Sequence, residues 1–256
     1  MLKYKTSYMK DKIIYCPLIF LAILALYLYT ANAFIYFRIG HGNLITPVRQ
    51  DSYTMSNDKN TITKIYTALG DSLTAGVGAD KYEESYPYLL ASRMKNDGTN
   101  IVLNNFSVPG AQTKDLISDY LNSAIATQPD VITLFIGVND VHNHVGRAQF
   151  EKNYTYILER LTKETKAKIY LINIPLIGSH TTILPPLDYY FEKETDSYNE
   201  VIAKLAAKYQ LQDIDLNTPT KELFRFDGTH YSADSFHPSA AGYQLWADII
   251  YDSFNK

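Results

Sequence analysis

The stretch Ile65-Tyr-Thr-Ala-Leu-Gly-Asp-Ser-Leu-Thr-Ala-Gly76 has the pattern of a strand that ends in a tight turn and leads into a helix. Its first five residues, Ile65–Leu69, are mostly apolar or β-branched, which is typical of a buried strand. Ser72 follows the carboxyl end of that strand, where the first amides of a helix favour negative charge. The pattern therefore indicates either a reactive serine or an ordinary helix cap, in which Asp71 or Ser72 satisfies the first N–H groups of the helix.

Strand-like and helix-like segments alternate through the remainder of the chain. The pattern predicts further strands at Ile101–Asn105, Val131–Ile136, Lys168–Ile174 and Leu211–Leu216. It predicts helices at Tyr86–Lys95, Thr113–Ala126, Phe150–Thr165, Glu192–Tyr209 and Ser239–Phe254. Such alternation is typical of an α/β fold with a parallel sheet, although it does not establish the order of the strands. Ligands of such sheets bind outside the carboxyl ends of the strands, so the residues that follow the first three strands are candidates for a site.

Two of these strand ends offer hydrogen-bond donors for a negatively charged oxygen. Gly110, in Pro109-Gly-Ala111, has no side chain, so its backbone N–H can approach a substrate closely. Asn139, in Gly137-Val-Asn-Asp140, carries two side-chain N–H donors, and we expect Asp140 to brace that loop. Taken singly, a turn after a proline and an Asx turn at a strand end explain the same residues.

A candidate base lies near the end of the chain. An imidazole exchanges protons near neutral pH, and Asp234 precedes His237 by three residues, so that one tight turn can bring its carboxylate to the ring. Asp227 and His230 have the same spacing, and spacing alone leaves both pairs open. Pro238 and a helix-like stretch follow His237, which favours the pair Asp234 and His237.

In this order, the four segments resemble the sequence blocks of the SGNH (GDSL) hydrolase superfamily, from about Ile65 to about Trp246. The four residues of that name are matched here by Ser72, Gly110, Asn139 and His237. The resemblance implies a three-layer α/β/α sandwich of the flavodoxin-like type, with about five parallel strands. It also supports His237 over His230, because the family pattern continues with Pro238-Ser-Ala-Ala-Gly-Tyr243.

The resemblance further implies a serine esterase that uses no cofactor and no metal ion. Ser72 is then the nucleophile, His237 its base and Asp234 the residue that orients the base, while Ser72, Gly110 and Asn139 form the oxyanion hole. Its partner would be a small-molecule, lipid or glycan ester: a lipid or lysophospholipid acyl ester, or a carbohydrate O-acetyl ester. An O-acyltransferase acting on envelope glycans and a catalytically inactive, membrane-anchored binding protein are the alternatives.

The N-terminal region predicts on which side of the membrane the rest of the protein lies. Ile13–Phe37 is an apolar run of 25 residues, which is long enough to cross a bilayer core of about 30 Å. Lysines precede this run, so the positive-inside rule leaves the N-terminus in the cytoplasm and the catalytic part outside it, as a single-pass membrane protein. A signal peptide cleaved near Ala33 fits the same pattern and predicts a secreted enzyme. We therefore divide the chain into a tail with an anchor or signal (residues 1–39), a linker (40–61) and a hydrolase domain (62–256).

Charge and cysteine content disfavour other classes of protein. The net charge is −3, and residues 1–37 carry four lysines and one aspartate, so the remainder has a net charge of −6, which argues against a nucleic-acid partner. The single cysteine, Cys16, lies in the apolar run and gives no disulfide framework. His142-x-His144 fits no strong zinc spacing. The proline- and tyrosine-containing segment Leu176–Phe191 predicts either a wall of the site or a covering loop.

Overall fold

Five parallel strands direct their carboxyl ends to one edge of a sheet. The computed structural model of the protein describes residues 2–41, 46–47, 52–57, 62–176, 178–179, 181–226 and 228–254. Its strands are β1 (Ser52–Met55), β2 (Thr63–Gly70), β3 (Asn100–Ser107), β4 (Val131–Phe135), β5 (Lys168–Ile172) and β6 (Gln212–Ile214). They lie in the order β1-β3-β2-β4-β5-β6, and β1 is antiparallel to β3 while all other neighbours are parallel. The predicted α/β fold with about five parallel strands is confirmed.

Helices complete a three-layer sandwich around this sheet. They are α1 (Leu2–His41), α2 (Ser72–Ala75), α3 (Tyr86–Asn96), α4 (Thr113–Asp115), α5 (Leu121–Ala126), α6 (Val138–His142), α7 (Arg147–Glu164), α8 (Leu187–Tyr209), α9 (Asn217–Phe226) and α10 (Ala240–Phe254). Helix α3 packs on α10, while α7 packs on α8 and on α4 and α5. A π-helical turn at Leu116–Tyr120 joins α4 to α5 within the predicted helix Thr113–Ala126.

The two strands at the centre of the parallel sheet set the position of the site. From Tyr66 onwards β2 is fully buried, and β4 is buried from its second residue, because helices cover both faces of the sheet. At the end of β2, a Cβ on Gly70 would lie 2.4 Å from the carbonyl oxygen of Phe135 and 2.1 Å from Oγ1 of Thr74. Only glycine therefore allows β2 to end this close to β4 and to the helix that follows.

Strand β1 and helices α6 and α9 differ from the sequence-based expectation. Strand β1 lies inside the segment predicted to be a linker, 40–61, where it pairs antiparallel with β3 and buries Met55. Four residues with one buried side chain are too short to produce a recognisable period. Helix α9, Asn217–Phe226, was not predicted either, since its first turn contains Pro219 between two threonines. The division into three domains stays a prediction.

The first helix contains the predicted apolar run. Helix α1 covers Leu2–His41, and its part Cys16–Arg38 is long and apolar enough to cross a membrane. A signal sequence near the N-terminus has the same properties. The structure therefore contains a single N-terminal apolar helix of either kind among its described residues.

Candidate active site

Ser72 lies at the first position of the short helix α2, directly after β2. Asp71 caps this helix, because its Oδ1 accepts a hydrogen bond of 3.0 Å from the backbone N–H of Leu73. Asp71 therefore provides the cap that the sequence offered as one explanation of this motif, and the hydroxyl of Ser72 is not needed for it. Tyr120 fixes the end of β2 by donating its hydroxyl to the carbonyl of Gly70 at 2.9 Å.

Ser72, His237 and Asp234 form a continuous chain of hydrogen bonds. Oγ of Ser72 lies 3.0 Å from Nε2 of His237, and Nδ1 of His237 lies 2.6 Å from Oδ2 of Asp234. All three side chains are buried. With Nδ1 donating to the carboxylate, Nε2 is left to accept the hydroxyl proton of Ser72, which is the arrangement of a nucleophile, a base and an orienting acid.

The loop around Asp234 holds that carboxylate firmly. Its Oδ1 accepts the hydroxyl of Ser232 at 2.7 Å and the backbone N–H groups of Phe236 and His237, each at 2.9 Å. Ser235 adopts a positive φ of 56°, which lets this turn close on itself. Burial by itself raises the pKa of Asp234, but the hydrogen bonds from His237, Ser232 and the backbone outweigh it and hold the pKa at about 2. The carboxylate is thus ionised wherever the protein is folded near neutral pH.

Three hydrogen-bond donors line the same pocket. Ser72, Gly110, Asn139 and His237 border a pocket of about 270 Å³. Gly110 has a positive φ of 83°, and a Cβ there would meet no atom within 4 Å, so the backbone angle and not crowding favours glycine. Among the hydrogen bonds within the described part of the chain, neither the backbone N–H of Ser72 nor that of Gly110 has an acceptor.

The amide of Asn139 is oriented by its surroundings. One of its Nδ2 hydrogens goes to the carbonyl of Ala111 at 3.1 Å, which leaves the second hydrogen for a ligand. The neighbouring Asp140 accepts the backbone N–H of Thr113 at 2.9 Å and its hydroxyl at 2.6 Å. Asp140 therefore ties the loop after β4 to the loop after β3, as the sequence analysis expected.

The structure also locates the alternative candidate for the base and tests the possibility of a metal site. The ring of His230 packs 5.6 Å from that of Phe224, whereas His237 is the histidine within hydrogen-bond distance of Ser72. Asp227, the possible partner of His230, lies outside the described residues. No group of three or more histidine, cysteine, aspartate or glutamate side chains gathers in the described part of the chain in a way that could hold a metal ion.

His142 borders the pocket, where an exposed loop histidine was expected from the sequence, but it is buried and lies on α6. It follows Asn139 by three residues on α6, so the two side chains share one face of that helix. Its ring packs against Phe191 and Phe236, with centroids at 4.8 and 5.1 Å. Burial lowers the pKa of His142 to about 4, so the ring is neutral. The three-residue spacing between Asn139 and His142 was the local pattern that indicated that their side chains lie together. His142 belongs to no metal-binding group among the described residues.

Two pocket residues come from the part of the chain before β1. Tyr36, on α1, and Thr46 border the pocket together with Ser72 and His237. The segment Leu176–Phe191 contributes Phe191 to the packing around His142, and its last five residues belong to α8. No local pattern in the sequence connects Tyr36 or Thr46 with a strand end more than 20 residues later.

Comparison with known proteins identifies the family. Residues 68–245 match the GDSL-like lipase/acylhydrolase family. The chain therefore belongs to that family and is a carboxylic ester hydrolase of the SGNH type.

Individual relatives share both sequence and fold. The chain is 27% identical over 209 residues to the spore germination lipase LipC of Bacillus licheniformis, which covers 72% of this chain and 93% of the relative. It is 24% identical over 155 residues to an acetylxylan esterase of Geobacillus stearothermophilus, covering 56% of this chain and 67% of that enzyme. The crystal structure of TesA has a TM-score of 0.62 at 21% identity over 75% of this chain and 98% of TesA, a likeness of fold.

A second buried carboxyl group, next to Ser72, has the opposite electrostatic character from Asp234. Asp71 is fully buried, and its Oδ2 has no hydrogen-bond partner in the described part of the structure. Burial raises the pKa of Asp71 from 3.8 to about 7, against the weaker opposing effect of the Leu73 N–H. Between about pH 4 and pH 7 the folded state retains this proton, while the unfolded chain loses it. Stability that depends on Asp71 is therefore present below about pH 4 and is lost as the pH rises towards 7.

Replacement of Asp71 by asparagine should remove this loss. Asp71→Asn keeps the oxygen that accepts the Leu73 N–H and carries no charge, so at pH 8 it should be more stable than the wild type by roughly 2–4 kcal/mol. At pH 4 the two proteins should be equally stable. Denaturant unfolding in detergent at both pH values measures this, with Asp252→Asn on the surface of α10 as a control. A stability difference that is the same at both pH values would contradict a proton held on Asp71.

Proposed function

We propose that the protein hydrolyses carboxylic esters through a covalent acyl intermediate on Ser72. The observation that carries this proposal is the buried chain from Ser72 through His237 to Asp234, with contacts of 3.0 and 2.6 Å. This chain also argues against the alternative of an inactive binding protein, because a nucleophile and its base lie within reach of each other.

In the first half of the reaction, Oγ of Ser72 attacks the ester carbonyl carbon. The hydroxyl proton passes to Nε2 of His237 as the new C–O bond forms, and the ionised Asp234 stabilises the imidazolium. The tetrahedral intermediate then collapses, and the leaving alcohol takes the proton from His237. In the second half, His237 removes a proton from water, which attacks the acyl carbon. The C–O bond to Ser72 then breaks, His237 returns the proton to Oγ of Ser72, and the carboxylic acid leaves.

The negative charge on the tetrahedral oxygen needs donors that are in place before the reaction. In this proposal they are the backbone N–H groups of Ser72 and Gly110 and the side-chain amide of Asn139. Their support is that all three residues line one pocket and that the Asn139 amide is already oriented by Ala111. One such donor contributes roughly 3–4 kcal/mol to transition-state stabilisation in comparable sites.

The substrate is proposed to be a lipid or lysophospholipid acyl ester or an O-acetylated carbohydrate. Relatives named as a lipase and as an acetylxylan esterase support both classes. The pocket mixes apolar residues, such as Val77 and Phe236, with polar ones, such as Asn143 and Thr46. Transfer of the acyl group to a glycan instead of water uses the same first half-reaction.

The catalytic domain is proposed to lie outside the cytoplasm, held by an uncleaved single-pass helix. The support is the length and apolar character of Cys16–Arg38 and the four lysines before it. Cleavage near Ala33 with secretion of the domain is the alternative. With the helix uncleaved, α1 attaches the protein to the membrane.

Ester hydrolysis should depend on Ser72. In Ser72→Ala no nucleophile remains, so kcat for p-nitrophenyl acetate should fall by roughly 10⁴–10⁶. A fluorophosphonate should label the wild type and leave Ser72→Ala unlabelled. A folded Ser72→Ala variant that hydrolyses the ester normally would refute the mechanism.

The two histidines with an aspartate three residues before them should differ sharply. His237→Ala removes the base and should abolish turnover, whereas His230→Ala should keep most of it, because the His230 ring packs on Phe224 and not on Ser72. Asp234→Asn should lower kcat by roughly 10²–10⁴ through loss of the orienting charge. Steady-state kinetics at neutral pH measure all three variants. An inactive His230→Ala together with an active His237→Ala would transfer the role of the base to His230.

A protease added to intact cells with an accessible outer face should digest the catalytic domain. The topology predicts this because the lysines before Ile13 retain the N-terminus in the cytoplasm. Mass spectrometry of the mature protein separates the two forms: a retained N-terminal region indicates an anchor, and Phe34 as first residue indicates cleavage. Protection in intact cells with digestion after lysis would refute the proposed location.

A further inference from the structure

One face of the N-terminal helix packs against the catalytic domain. Ala31 is 3% exposed and Ile35 is 1% exposed, whereas most of Cys16–Arg38 is exposed. Leu28, partly buried, precedes Ala31 by three residues, and Arg38, also partly buried, follows Ile35 by three residues. This spacing places all four on one side of the helix. The end of α1 is therefore docked on the domain and is not a free tether.

Two hydrogen bonds hold the docked segment at its ends. The hydroxyl of Tyr27 donates to the carbonyl of Pro185 at 2.5 Å, next to the start of α8. Nη2 of Arg38 donates to Oγ of Ser235 at 2.9 Å. Ser235 directly follows Asp234, so the second bond joins the helix to the turn that carries the orienting carboxylate.

The docked helix reaches the substrate pocket itself. Tyr36 borders the pocket on the side of α1, and Thr46, beyond the end of that helix, borders it as well. The side chain of Tyr36 is 51% exposed, which leaves its ring available to a ligand. Pro47 is buried next to Gly76, its Cγ 3.5 Å from where a Cβ on Gly76 would lie, so Pro47 packs on the domain near the same pocket.

We infer that the end of the N-terminal helix forms one wall of the ester pocket, with Tyr36 as a specificity-determining residue that contacts the substrate beyond its reacting carbonyl. Arg38 is a positioning residue, which couples this wall to the turn of Asp234. The inference rests on the proposed esterase function and adds a residue from outside the family-matched region, 68–245. Attachment to the membrane and selection of the substrate then depend on the same helix.

A pair of tyrosines on α1 allows a matched test. Tyr29 precedes Tyr36 by seven residues, two helical turns, so it lies on the same side of the helix about 10 Å further from the pocket. It is 73% exposed and does not line the pocket. A change at Tyr36 therefore tests the wall, and the same change at Tyr29 tests the helix in general.

The first measurement compares a short and a longer ester in the full-length protein in detergent. Tyr36→Ala should lower kcat/KM for p-nitrophenyl octanoate about tenfold, mainly by raising KM, and should lower the value for p-nitrophenyl acetate less, so that the ratio of octanoate to acetate hydrolysis falls. Tyr36→Phe, which keeps the ring, should restore the octanoate value, and Tyr29→Ala should match the wild type. An unchanged ratio between the two esters in Tyr36→Ala would refute the wall. A wild type that hydrolyses neither ester would refute the proposed function instead.

The second measurement does not depend on truncation of the side chain. Cys16 is the only cysteine, so a Cys16→Ser background allows a single thiol to be placed at either tyrosine. Tyr36→Cys should hydrolyse p-nitrophenyl acetate until a bulky maleimide alkylates it, and should then lose at least 90% of that activity, because the adduct fills the pocket. Tyr29→Cys should retain its activity after complete alkylation. Full activity of alkylated Tyr36→Cys would overturn the inference.

Discussion

The close approach of β2 and β4 at their carboxyl ends is the constraint on which the site depends. Gly70 is paired with Phe135 on one side and with Ser107 on the other, so the three loops that follow these strands start at one level. A side chain at Gly70 would collide with the backbone of Phe135. Through this approach Ser72, Gly110 and Asn139 line one pocket, although 38 and 29 residues of chain separate them.

The surroundings of two buried carboxyl groups near Ser72 shift their pKa values in opposite directions. Asp234 receives hydrogen bonds on both oxygens and is ionised, with its pKa at about 2. Asp71 has one oxygen without a partner, and burial raises its pKa to about 7. Below about pH 7 negative charge is therefore concentrated beside the imidazole of His237, and the start of α2 gains a negative charge only as the pH rises through about 7.

The end of the N-terminal helix packs against the domain that contains Ser72. Its docked face buries Ala31 and Ile35, and Arg38 donates a hydrogen bond to Ser235 in the turn that contains Asp234. A helix that only tethered the domain would need none of these contacts.

The sequence by itself determined the alternation of strands and helices, the family resemblance and the residues proposed for catalysis. These are local properties, because a strand end, a turn and a cap are each encoded within a few residues, as around Ser72 and His237. Tertiary structure alone decided which residues meet. The pairing of β1 with β3, the packing of His142 against Phe191 and Phe236 and the place of Tyr36 in the pocket arise from contacts between segments far apart in the chain. Such contacts depend on packing geometry, which produces no periodic or local pattern in the sequence.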